Sequence, residues 1–233
     1  MKFNCRNRNV KLFISFCLIL EISPFSKLIV FSRVKKLSGL PKFIEGKDFK
    51  VLDYEDSKRP TVTQFFSFYC PHCKSFEPII KWLRNELPDN VLFQKIHVSF
   101  MGGSMGFSMS KAYATMVVLD IEERMTQVLF NRIHNTGKSP NNDGELRQIF
   151  LDAQAYSSSR SKFEFQKKFD AAFKSFMVDS KARRMDKRFE NSGLTGVPAI
   201  IVNNKYLVKA EASDDQNSEV WILELVNYLL TQK

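Results

Sequence analysis

The chain has 233 residues, 44% hydrophobic and 26% charged, which suits a globular protein with one sizeable core and excludes a fibrous or low-complexity chain. Its formal charge of +10 first suggests nucleic acid, but residues 1–36 hold eight basic side chains against Glu21 alone. The rest of the chain is only mildly basic, without the concentrated footprint of a nucleic-acid binder.

The leader runs from a basic start, Lys2 to Lys11, into the apolar stretch Leu12 to Leu20, the order of a secretory signal. Glu21 interrupts it, a second short run Leu28 to Phe31 follows, and no small-x-small cleavage site is visible. Neither run has the roughly twenty apolar residues of a spanning helix. The expectation is an exported, periplasmic protein cleaved before about residue 40, with an uncleaved membrane tether or a start codon upstream of the true one as alternatives. Cleavage would remove Cys5 and Cys17 and leave two cysteines.

Asp48 to Tyr54 gives a short strand signal, and the turn Asp56 to Pro60 leads to Val62 to Tyr69, aromatic and β-branched enough for a second strand. Cys70-Pro71-His72-Cys73 follows at once. From Pro71 to Leu87 the apolar residues Phe76, Ile79, Ile80, Leu83 and Leu87 recur at helical spacing, which puts Cys70 at a helix N-terminus and Pro71 at the first helical position. Unsatisfied N–H groups and the helix dipole favour negative charge there, so Cys70 is expected to be the easier thiolate and Cys73, one turn inward, the less exposed partner. His72 adds to this if its ring points at the sulfur. Half a zinc site and a static structural disulfide remain as alternatives. Zinc needs about four ligands, and the other candidates, Cys5, Cys17, His97 and His134, have no paired spacing.

Val91 to Phe100 gives a third strand, parallel to the second across a right-handed crossover. The glycines of Met101 to Gly106 lack the spacing of a phosphate loop. From Gly102 to Glu190 the pattern is helical, with segments near 107–119, 121–133, 144–154 and 163–191. Gly196-Val197-Pro198 then opens a hairpin, Pro198 to Val202 and Lys205 to Val208 about Asn203-Asn204, and a helix from Ser218 to Leu230 ends the chain. His97 reads as a partly buried polar strand residue and His134 as an exposed one before a loop, neither a catalytic candidate.

Phe65 to Cys73, His97 to Gly103, Gly196-Val197-Pro198-Ala199 and Val202 to Tyr206 together closely resemble the bacterial DsbA family of thiol–disulfide oxidoreductases. The resemblance covers Gly46 to the C-terminus and implies an α/β, thioredoxin-like fold with an inserted helical domain. Expected boundaries are a leader at 1–40, thioredoxin-like parts at 41–101 and 179–233, and the insert at 102–178. It further implies a redox-active Cys70–Cys73 disulfide, with Cys70 as the thiol that forms the mixed disulfide, Cys73 as resolving thiol, His72 as thiolate stabiliser, and Val197 and Pro198 as a cis-proline loop holding substrate backbone. Expected partners are reduced, unfolded exported proteins and a DsbB-type membrane quinone reductase as reoxidant; a monomer is expected, with no cofactor, metal or nucleic acid. One departure is visible: where family members place a glutamate six residues before the first cysteine, this chain has Gln64, beside Lys95 on the neighbouring strand. Gln64 either leaves Lys95 unpaired near the thiols, favouring the thiolate, or hydrogen-bonds it. A reductase or isomerase of the same fold and a non-catalytic chaperone-like module are the competing functions.

Overall fold

The computed structural model describes residues 42–54, 57–154, 158–209 and 218–232; the leader, with Cys5 and Cys17, lies outside them. Five strands form one mixed sheet in the order β1-β5-β4-β2-β3: β1 Phe49–Val51, β2 Thr61–Phe66, β3 Leu92–His97, β4 Ala199–Val202 and β5 Tyr206–Val208. Only β2 and β3 run parallel, with Gln64 opposite Lys95 and Phe66 opposite His97. Every residue of β2 is buried, as its aromatic and β-branched composition demands of a central strand. The β4–β5 hairpin turns on Asn203 and Asn204, whose φ values of +52° and +60° suit asparagine.

Helices α1 (Pro71–Glu86) and α7 (Ser218–Leu230) cover one face of the sheet, with Ile80, Leu83, Val226 and Leu229 packed against Val62, Ile200 and Val202. On the other face α6 (Phe176–Asn191) sets Phe189 against Phe65, and Arg188 donates to Gln94, Thr63 and Asn204. Between β3 and β4 the chain is helical: α2 (Gly106–Val118), α3 (Glu122–Phe130), α4 (Asp143–Asp152), α5 (Ser159–Phe173) and α6. The stretch expected as one helix over 163–191 is two, because Ser175 accepts from the N–H of Val178 and caps a new helix start. A five-residue π-turn, Asn131–Asn135, ends α3. Among the described residues no helix is long and apolar enough to cross a membrane.

Candidate functional site

Strand β2 runs into the Ser67–Tyr69 bend and delivers Cys70 to the N-cap of α1. The bend is held by its own donors: Cys70 N–H reaches the Ser67 carbonyl at 3.1 Å, and Tyr69 N–H the Ser67 hydroxyl at 3.2 Å. Cys70 Sγ accepts from the N–H of Cys73 at 3.2 Å, the place a capping oxygen takes in other helices. Both cysteines are thiols here, and both are buried: Cys70 is 3% exposed, Cys73 fully enclosed. Burial, and then the hydrogen bond from Cys70, push the Cys73 thiol well above the ordinary thiol range, so it is the partner that keeps its proton.

Across the gap the Val197–Pro198 bond is cis, and the Val197 carbonyl lies 3.4 Å from Cys70 Sγ. Beside it opens a groove of about 290 Å³ whose walls include Phe76 of α1, Leu194, Pro198, Ala199 and Leu207. A thiol at a helix start, a backbone carbonyl in contact with it and a groove alongside are what thiol–disulfide exchange with an extended polypeptide requires.

The family model for the DSBA-like thioredoxin domain matches residues 61–219, which include every one of these groups. The chain belongs to this family. Its DsbA relatives include the thiol:disulfide interchange protein DsbA of Yersinia pestis, 32% identical over 198 residues, 82% of this chain and 90% of that one. DsbA of Escherichia coli strain K12 is 31% identical over the same shares. Among solved structures, DsbA of Proteus mirabilis superimposes with a TM-score of 0.71 at 28% identity, covering 82% of this chain and 98% of that one. A complex of Proteus mirabilis DsbA with the non-covalently bound peptide PWATCDS gives a TM-score of 0.72 at 27% identity. The protein is accordingly a DsbA-like thiol:disulfide oxidoreductase of thioredoxin fold, as its sequence implied.

In this DsbA-like site Cys70, Cys73, Val197 and Pro198 come together. His72 is exposed on the first turn of α1, and its ring makes no hydrogen bond among the described residues. Both expectations for Gln64 fail. Lys95 is paired, donating to Glu77 Oε1 at 2.6 Å with only 5% of its side chain exposed, and it lies 4.7 Å from the centre of the Phe66 ring. Gln64 is fully buried, and neither end of its amide reaches a partner among the described residues. The carboxylate that answers Lys95 comes from α1 instead of β2. Burial raises the pKa of Glu77 and Lys95 draws it back, while Glu77 itself adds to the rise at Cys73.

Glu77 was not among the sequence candidates, although the signal existed: it lies four residues after Cys73, on the same face of the helix. His97 is completely buried rather than partly so, and His134 is half-buried and bonded to the Phe68 carbonyl rather than exposed. Gly102, at φ +88°, passes so close to Tyr69 that a Cβ would lie 2.2 Å from its ring, so this glycine serves packing against the cysteine bend.

Proposed function

We propose that this protein is a periplasmic dithiol oxidase that donates a Cys70–Cys73 disulfide to reduced, exported proteins. The observation that carries the reading is the asymmetry of the pair: Cys70 caps a helix opposite the cis-proline loop, while Cys73 is enclosed and held protonated. A substrate thiolate attacks Cys70 Sγ, the S–S bond breaks, and Cys73 leaves and takes a proton. A second substrate thiolate then attacks the substrate sulfur of the mixed disulfide and expels Cys70 as thiolate, which the Cys73 N–H and the helix N-terminus receive. The substrate loses two electrons, which the dithiol carries to a membrane quinone reductase of the DsbB type. Substrate backbone pairs at Val197 and side chains enter the groove beside Pro198. That the Proteus mirabilis relative binds a peptide non-covalently supports a polypeptide as the substrate.

The test is mixed-disulfide trapping. Cys73→Ala is expected to accumulate covalent complexes with reduced exported proteins, and Cys70→Ala none. Equal trapping by both variants would remove Cys70 as the exchanging thiol, and retained oxidase activity in Cys70→Ala would leave a chaperone-like role. A glutathione equilibrium as reducing as that of thioredoxin would favour a reductase.

A further inference from the structure

Phe68 stands two residues before Cys70, and both its backbone polar groups end on imidazoles. Its N–H donates to His97 Nε2 at 3.1 Å, and its carbonyl accepts from His134 Nε2 at 2.8 Å. An amide N–H only donates and a carbonyl only accepts, so the two rings carry opposite tautomers. His97 is bare at Nε2 and turns Nδ1–H to Ser110 Oγ at 2.9 Å; His134 carries its proton at Nε2. His134 belongs to the π-turn Asn131–Asn135, and its neighbour Asn135 accepts from Lys74 of α1. One turn of the helical region therefore grips the chain on both sides of the cysteine pair.

We propose that His134 is a positioning residue for thiol–disulfide exchange, acting through the Phe68 carbonyl to hold the backbone that carries Cys70. The proposal rests on Cys70–Cys73 being the redox pair. Its physical basis is a difference between the two redox states. In the disulfide, the S–S bond itself fixes Cys70 to Cys73. In the dithiol, the position of Cys70 Sγ relative to the Cys73 N–H depends on packing and hydrogen bonds, with no covalent link to fix it. The bend supplies bonds for Cys70 N–H and Tyr69 N–H from Ser67, whereas the Phe68 carbonyl is held from outside it, by His134. Losing that contact costs the reduced form more than the oxidised one and makes the disulfide a weaker oxidant.

The experiment equilibrates wild type, His134→Ala and His134→Gln with glutathione and records the thermal midpoint of each in both redox forms. The alanine variant is expected to be about three- to tenfold less oxidising, the range of one hydrogen bond. Glutamine, whose amide also donates, is expected to restore the wild-type equilibrium. His134→Leu, of similar bulk and without a donor, makes the same comparison if the alanine variant does not fold, and the same shift is expected. An unmoved equilibrium in the alanine or leucine variant, with both midpoints lowered equally, would show a purely structural contact and overturn the proposal. Failure of glutamine to restore the equilibrium would overturn it as well. If wild type itself does not exchange with glutathione, it is the redox reading of the pair that falls.

Discussion

His97 shows how a single residue ties stability to pH. Burial first, and the nearby Lys95 charge second, lower its pKa from 6.5 to about 3. The unfolded chain therefore takes up a proton as pH falls through 6.5, while the folded protein resists until about 3. Stability present above pH 6.5 is lost across that window, on the order of 5 kcal/mol from this one group. Protonation would also put a hydrogen on Nε2, where the Phe68 N–H now donates. Glu77 acts in the opposite sense: its raised pKa makes its contribution greatest when protonated, and that contribution is lost as pH rises. Urea unfolding at pH 7 and pH 4 is expected to show a smaller loss in His97→Gln than in wild type. Equal losses in the two proteins would mean that His97 does not drive the acid sensitivity.

At the scale of elements, the join between β3 and α2 decides how closely the helical region seats behind the cysteine bend. Gly106 opens α2, and a Cβ there would lie 2.0 Å from the Ser99 carbonyl oxygen and 2.6 Å from that of Met101. Alanine in a helix ordinarily gains up to about 1 kcal/mol over glycine. Here the backbone must shift, a cost of about 1–3 kcal/mol that outweighs the gain. Gly106→Ala should therefore be less stable than wild type by about 1–2 kcal/mol in chemical denaturation. A variant as stable as wild type or more so would show that the loop yields easily. The helices themselves were largely legible, since α1 and α7 carry apolar stripes at regular spacing. The break at Ser175 was not, because the apolar pattern continues across it and only the serine cap, a local feature, interrupts the ladder.

For the whole molecule, redox state and folding stability are linked. A disulfide that readily passes to other proteins is one whose formation the fold disfavours, so the dithiol form must be the more stable. The hydrogen bond from Cys73 N–H to Cys70 Sγ exists in that form, and the enclosed Cys73 thiol sits in a packed core beside it. Reduction is expected to raise the urea midpoint of the full chain, measured with and without dithiothreitol. A lower midpoint on reduction would mark a stabilising disulfide and contradict the oxidase. The thioredoxin-like fold was readable because the cysteine motif sits at a strand-to-helix junction and Gly196-Val197-Pro198 at the entry of another strand.

The sequence by itself determined the reactive chemistry: two thiols three residues apart, a helix start to receive charge, and a proline at a strand entry, all local patterns that spacing records. Tertiary structure alone decided what surrounds them. Lys95 meets Glu77 of α1 instead of Gln64 across the strand pair, because helix packing brings that carboxyl over the sheet. His97 and His134 lie 29 and 66 residues from Phe68 in sequence and meet its two backbone groups only because the sheet and the π-turn close around the same bend. Those contacts join residues far apart in the chain, and no periodicity or motif encodes them.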